Sequence, residues 1–472
     1  MPNNKAGFLF ATALTFLLVL LGAAHPVFAQ NKDKERVLRS FTGIPDGQSP
    51  VSSLIFDAAG NLYGTTESGG TYVQGCFSPG CGTVFQLTLG SDGKWKEKVL
   101  HVFTGPDGIE PGAGLVFDTA GNLYGTTMFG GAYAKACGGL PGCGTVFQLT
   151  PRADGKWKEE VLHSFNGKDG EVPEATLIFD AAGNLYGTTP FGGANGVGTV
   201  FELTPGTNGK WKEKVLHNFG NSISTDGENP YEKVVFDQEG NLYGTTTYGG
   251  NFDGDCAFES CGTVFRLVPE ANGKWKEEIL LNFSPYEDYK DGIWPISDLV
   301  IDGAGNLYGT TSAGGVTGGG VVFQLAQGAD GKWKEKVLHT FTYKGPDGDE
   351  PFAGLVFDAA GNLYGTTAFG GVYGQACDYF IHGCGTVFKL TPASDGKWNE
   401  KVVHSFDGKD GELPSADLIF DAAGNLYGTT SEGGVMGIGT GLPVDALKRG
   451  SSPCLVRPWV AVHPSNVQWI FG

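Results

Sequence analysis

The chain has 472 residues, a formal net charge of −19 and 78 glycines. An acidic surface of that size repels nucleic acid and anionic lipid, so neither is expected as a partner. The glycines recur at fixed places, which makes them turn residues and excludes a low-complexity chain.

In chain order, the first element is a leader. Lys5 supplies a positive start, Gly7 to Ala24 form an apolar run, and Val27-Phe28-Ala29 offers a small-residue cleavage site before Gln30. Residues 1–29 therefore read as a secretory signal peptide. No later segment is long and apolar enough to span a bilayer as a helix. A secreted, periplasmic or cell-surface location is expected.

Residues 35–440 read as one domain of seven repeats. The phrase Asp-x-x-Gly-Asn-Leu-Tyr-Gly-Thr-Thr begins at Asp57, Asp118, Asp180, Asp237, Asp302, Asp358 and Asp421, with a period of 56 to 65 residues. Such a period signals a repeat architecture. In the second unit, Leu115 to Asp118 and Asn122 to Thr127 are two strands around a tight turn. Gly144 to Thr150 is a third strand. Asp154-Gly155 is a hairpin signal, and Lys156 to Phe165 is a fourth strand. Four antiparallel strands per unit make a propeller blade. The Lys/Glu-rich fourth strand suits an exposed outer edge.

The N-terminal stretch Glu35 to Thr42 matches a fourth strand with no first three ahead of it. The seventh unit has its first strands and then runs out. A circle accounts for both, so the fold expected is an all-β, seven-bladed propeller whose N-terminal strand closes the last blade. An open solenoid would need terminal caps instead. After Thr440 the pattern stops. Where Val-Phe-x-Leu is due, the chain reads Gly441-Leu442-Pro443-Val444, and residues 441–472 form an off-pattern, basic tail that looks like a shifted reading frame or a spliced end.

Eight of the nine cysteines come as close pairs at one place in the repeat: Cys76/Cys81, Cys137/Cys143, Cys256/Cys261 and Cys377/Cys384. Loss of both members together in the other units is the mark of local disulfides. Two cysteines per loop cannot close a tetrahedral zinc site. The recurring His101, His163, His217, His339 and His404 fall on outer strands of separate blades and read as structural. The tryptophans Trp95, Trp157, Trp211, Trp275, Trp333 and Trp398 recur on the fourth strand and are expected to pack between blades.

Loops after the second and fourth strands share one face. On it recurs Asp-Gly-x-x-Pro, starting at Asp46, Asp107, Asp169, Asp226, Asp291, Asp347 and Asp410. Seven carboxylates could form a calcium-binding rim. A capped, proline-stiffened turn is the simpler reading, so no cofactor is expected and calcium has no further support. Two longer loops break the symmetry and carry aromatics, which bind sugars or protein through their faces. They make Tyr286, Tyr289 and Trp294, with Tyr379, Phe380 and His382, the candidate ligand-binding residues.

The Gly-Asn-Leu-Tyr-Gly-Thr-Thr, Gly-Gly, Gly-Thr-Val-Phe and Leu-His-x-Phe phrases resemble the GloVer tandem-repeat (choice-of-anchor) family of exported bacterial proteins, over about residues 35 to 440. The resemblance implies a surface or secreted protein and carries over no catalytic residue. The sorting anchor with which such proteins often end is not recognisable in the stretch after Thr440, so attachment through such an anchor is not part of the expectation. The chain is thus expected to be a monomeric, non-enzymatic recognition scaffold for an extracellular glycan, peptide or protein. The alternatives are a propeller enzyme acting on extracellular polysaccharide or a small lactone-like substrate, and a structural cell-surface spacer.

Overall fold

The computed structural model describes residues 36–73, 75–76, 80–133, 137–207, 209–220, 226–250, 261–284, 290–371, 377 and 383–434. They are all-β, with no helix among them. The first blade is Ile55–Phe56, Leu62–Thr66, Thr83–Leu89 and Trp95–Val102, paired antiparallel in that order. The next five units repeat it, starting at Val116, Ile178, Val235, Val300 and Val356.

One turn explains why the repeated phrase folds the same way each time. Asp57 Oδ1 accepts from the Ala59 and Asn61 amides, each at 2.9 Å, and Oδ2 accepts from Asn61 Nδ2 at 2.7 Å and the Tyr63 hydroxyl at 2.9 Å. Gly60 takes a φ of 83°, where a side chain would be strained. Burial pushes the Asp57 carboxyl up, yet the four donors together hold it below its ordinary value. The carboxylate is therefore bound in its charged form.

The second strand is completely covered because the third lies along it. Gly64 faces Phe85 across the ladder, and a Cβ at Gly64 would sit 2.8 Å from the Phe85 ring. Only glycine leaves room for that ring. The same approach recurs at Gly125 on Phe147, Gly187 on Phe201, Gly244 on Phe265, Gly309 on Phe323 and Gly365 on Phe388.

Blades are joined by the same phrase. The third-strand phenylalanine meets, edge to face, the phenylalanine that ends the fourth strand of the preceding blade, as Phe103 meets Phe147 at 5.1 Å. Such pairs add about 0.5–1.5 kcal/mol beyond area burial. The tryptophans do pack across blades, Trp157 lying 6.3 Å from Tyr63. In the Asp-Gly-x-x-Pro turns the residue before proline is left-handed in every unit: Ser49, Glu110, Val172, Asn229, Trp294, Glu350 and Leu413 have φ between 53° and 59°. From Glu110 onward its amide reaches back to the preceding unit, as Val172 N–H donates to Cys143 O at 2.9 Å.

The expectation of seven blades is corrected. Six blades have four strands, whereas among the described residues the seventh unit contributes only Ile419–Phe420 paired with Leu426–Tyr427. The ring is nonetheless continuous. Thr429 Oγ1 donates to Ser52 O at 3.0 Å and Tyr427 packs on Phe56 at 5.1 Å, the contacts that Thr65 makes to Ala113 and Tyr63 to Phe117. The expected N-terminal closing strand is also corrected, because residues 36–41 belong to no strand. Their side chains still occupy fourth-strand places. Phe41 packs on Phe85 at 4.8 Å, and Arg39 pairs with Asp46 and Glu97 where a histidine stands in other units. Among the described residues the segment has side-chain contacts but no ladder.

Candidate functional site

The repeated histidines and the Asp-Gly-x-x-Pro aspartates meet each other. His101 Nε2 lies 3.0 Å from Asp107 Oδ2, His163 3.2 Å from Asp169, His217 3.1 Å from Asp226 and His404 2.9 Å from Asp410. Asp107 Oδ1 also accepts from the Thr104 amide and hydroxyl at 2.8 and 2.9 Å. Sequence reasoning missed the third member, the glutamate two residues after each tryptophan. It reaches in from the next blade, so that His101, Asp107 and Glu159 place ligand-type atoms within 4.8 Å of one another, as do His217, Asp226 and Glu277. One oxygen of Glu97, Glu159, Glu213, Glu277, Glu335 and Glu400 is buried without a hydrogen bond. Burial pushes Glu97, Glu159, Glu213 and Glu400 up to about 7 and Glu335 to about 8. Burial, with a hydrogen bond to Asp226, raises Glu277 further. Repetition around the ring makes these clusters blade-to-blade joints. The sequence signal was the fixed Trp-x-Glu spacing.

The face bearing loops after the second and fourth strands has a different character. The exposed large apolar side chains among the described residues are Val37, Ile44, Tyr72, Leu89, Tyr133, Val316 and Tyr343. Five of these, Ile44, Tyr72, Tyr133, Val316 and Tyr343, lie in loops of that one face, whereas Val37 and Leu89 do not, so most of this exposure is on the loop face. Tyr72 is 68% and Tyr343 55% exposed, and Lys344 Nζ sits 4.8 Å from the Tyr343 ring centre. Disulfides Cys76–Cys81, Cys137–Cys143 and Cys377–Cys384, with Cα separations of 5.0, 5.5 and 5.6 Å, staple loops on the same face. Cys261 is disulfide-bonded too, and Cys256 lies outside the described residues. So do Tyr286, Tyr289, Tyr379, Phe380 and His382. Trp294 is the strained residue of its turn. It is half-buried against the core between the fourth and fifth blades, and its carbonyl accepts from the Ser312 amide at 3.0 Å. The structure does not bring it together with Tyr72, Tyr133 or Tyr343. Those tyrosines could have been found from Gly-Gly-x-Tyr in the first two units and from the lengthened Thr-Tyr-Lys loop in the fifth.

Unlike residues gather where the first strands begin. The equivalent positions are Ser53, Gly114, Thr176, Lys233, Asp298, Gly354 and Asp417. Lys233 Nζ pairs with Asp298 of the next unit and, at 2.9 Å, with Asp417 three units away. Only a residue at the axis can reach a non-neighbouring unit. The Lys233 amide donates to Asp298 Oδ1 at 2.9 Å, and the Gly354 amide donates to Asp417 Oδ1 at 2.7 Å. Burial pushes Asp417 upward, but the Lys233 charge, a hydrogen bond with Asp298 and the Gly354 amide bring it down to about 2. Burial and the neighbouring Asp417 raise Asp298, while Lys233 is held above its ordinary value by both carboxylates against its own burial. Glu232 is raised well above the carboxylate range by burial and then by the two aspartates. The Lys233 side chain keeps 23% exposure. The cluster lies at the end of the first strands nearer the loop face, since those strands run from that face.

A family model for the Gloeobacter/Verrucomicrobia repeat matches residues 76–288 and 257–442, more than half of the chain. The chain belongs to that family. In this Gloeobacter/Verrucomicrobia repeat protein, each repeat from the first to the sixth is one four-stranded blade. No curated protein matches the sequence. Among solved structures, the chain is similar to a Thermus thermophilus protein titled a "putative oxidoreductase (glucose dehydrogenase)", at 18% identity and a TM-score of 0.37, over 70% of this chain and 94% of that one. It is also similar to a Dyadobacter fermentans protein of unknown function, at 12% identity and a TM-score of 0.37, over 75% and 94%. At that distance neither transfers an activity.

Proposed function

We propose that the protein is an exported, monomeric, non-enzymatic recognition scaffold that holds a glycan, peptide or protein on the loop face. The observation that supports this is the exposure of Ile44, Tyr72, Tyr133, Val316 and Tyr343 on that face. Exposed aromatics give large contact area and sugar-stacking faces at low entropic cost. The carboxylates repeated around the ring are engaged in turns and joints, which leaves the loops as the variable surface. Export is supported by the leader pattern and by disulfides, which persist in oxidising compartments. No helix among the described residues is long and apolar enough to cross a membrane. Screening the purified protein on a glycan array and against extracellular polypeptides tests the reading. Binding that falls at least about tenfold in a Tyr72→Ala/Tyr133→Ala variant, with no turnover, supports it. Unchanged binding removes it.

A second reading rests on the axial cluster, where Glu232 and Lys233 of one unit meet Asp298 and Asp417 of two others. Unlike titratable groups converging in one opening are what general acid–base catalysis requires. The reaction class would be hydrolysis of an extracellular polysaccharide or a lactone-like ester. Turnover abolished by Asp298→Asn in a folded variant would favour this reading. Neither binding nor turnover would leave a structural spacer.

A further inference from the structure

The joints around the ring do not all hold their carboxylates in the same way. Where Glu97 meets the N-terminal stretch, Arg39 sets a cation between two acids, pairing with Asp46 and, at 2.7 Å, with Glu97. Both carboxylates are more than nine-tenths buried, at 8% and 6% side-chain exposure. Between the first and second blades His101 takes the arginine's place. Its ring reaches Asp107, and one Glu159 oxygen is left buried without a hydrogen bond. Between the third and fourth blades Glu277 and Asp226 are in hydrogen-bond contact with each other. Two carboxylates approach that closely only with a proton or a cation shared between them.

These two histidine joints have the geometry of an ion site. His101, Asp107 and Glu159 each bring one ligand-type atom within 4.8 Å of the others, and so do His217, Asp226 and Glu277. An ion bound at about 2.1 Å to each ligand holds the ligands about 3–4 Å apart. The imidazoles already stand 3.0 and 3.1 Å from their aspartates, and the glutamate of the next blade closes the third side. Outer contacts fix the ligands, as they do in metal sites. Phe103 and Phe219 meet the two imidazoles edge to face at 4.7 Å. Asp107 engages its other oxygen with the Thr104 amide and hydroxyl, and Asp226 with the Gly227 amide. The donor set selects the ion. One imidazole nitrogen and two carboxylates suit zinc, with a second glutamate oxygen or a water in the fourth place. Calcium takes six to eight oxygens, which these side chains do not supply.

We propose that His101, Asp107 and Glu159, and likewise His217, Asp226 and Glu277, are two zinc-binding sites, each tying one blade to the next. The ion does in these joints what the Arg39 guanidinium does in its own. It offsets two buried carboxylates contributed from the two sides, and the neutral imidazole is its third ligand. Where Leu281 replaces the histidine, between the fourth and fifth blades, that ligand is missing and no ion is expected. A metal that binds the folded ring and not the unfolded chain adds its binding free energy to stability. These sites lie between blades and are independent of the loop-face reading.

The test uses the full, untagged chain, freed of metal with EDTA and dialysed. Titration calorimetry with zinc chloride should show two equivalents bound, and elemental analysis after gel filtration should recover them. Zinc should raise the Tm, and magnesium at the same concentration should not. His101→Arg should remove one equivalent, and His101→Arg/His217→Arg should remove both. Arginine already holds such a joint at Arg39, so these variants should stay folded, with a Tm that zinc no longer raises. If they do not fold, Glu159→Gln/Glu277→Gln keeps the shape, removes the charge of the third ligand and should weaken zinc binding at least about tenfold. A folded protein that retains no zinc overturns the proposal. So does a double variant, of either kind, that retains as much zinc as the unmodified chain, which would mean adventitious surface binding. An equal rise in Tm with magnesium overturns it too, by assigning the effect to screening of the acidic surface.

Discussion

Glu335→Gln should stabilise the protein at alkaline pH and do little in mild acid. Glu335 sits in the joint between the fourth and fifth blades, where Leu281 stands in place of the histidine. It faces Asp291 without that cation, and one of its oxygens is buried with no hydrogen bond. Burial first, then Asp291, raises its carboxyl from 4.5 to about 8. An acid whose folded value lies above its unfolded one releases its proton more readily when unfolded. Its contribution is thus complete below about 4.5 and is lost as pH climbs toward 8. The difference of 8 − 4.5 = 3.5, at about 1.36 kcal/mol each, sets an upper limit of about 5 kcal/mol. Relaxation around the charge brings the expected effect to about 2 kcal/mol. Glutamine keeps the shape and cannot ionise. Denaturant unfolding of both proteins at pH 5, 7 and 9 should give curves that nearly coincide at pH 5 and separate progressively, with the variant more stable at pH 9. A constant difference across that range, or a variant less stable at pH 9, would refute the argument that ionisation of this side chain strains the joint.

Lys233→Met should cost about 3–5 kcal/mol at pH 7, because it leaves Asp298 and Asp417 buried without their cation. Without the cation both carboxyls take up protons more readily than in the unmodified protein, where Asp298 titrates at about 7 and Asp417 at about 2, so the defect should shrink progressively from pH 7 to pH 3, which unfolding curves across that range would read. Phe103→Ala removes a completely buried ring and should cost about 3–5 kcal/mol, whereas Phe41→Ala at the half-buried seam should cost about half as much. Urea midpoints compare the two. Cys137→Ser/Cys143→Ser opens a short loop and should lower stability by about 2 kcal/mol, a loss that reductant reproduces in the unmodified protein.

Local structure was legible because the repeat states it repeatedly. Asp57, Gly60, Asn61 and Tyr63 form one hydrogen-bonded turn, and their spacing alone places them within reach. The cysteine pairs were legible for the same reason. The blade count was not, because the N-terminal match to a fourth strand says which side chains can pack and nothing about whether a third strand lies beside them. Contacts across blades were also hidden. Glu159 meets His101 over 58 residues, and Lys233 meets Asp417 over 184 residues, so no local pattern links them. The axial residues were hidden for a further reason. Their position is the one at which units differ most, so a reading guided by repetition passes over it.

The left-handed turn residues have a consequence of their own. Ser49, Glu110, Val172, Asn229, Trp294, Glu350 and Leu413 share one costly backbone conformation, set by the proline ahead and, in the last six, by the amide's reach to the unit behind. Because the main chain does the holding, the side chain is at liberty to be a hydroxyl, an acid, an amide, an indole or an alkyl group. A lineage built on this frame can rewrite seven addresses around a circle one at a time, without redesigning the circle.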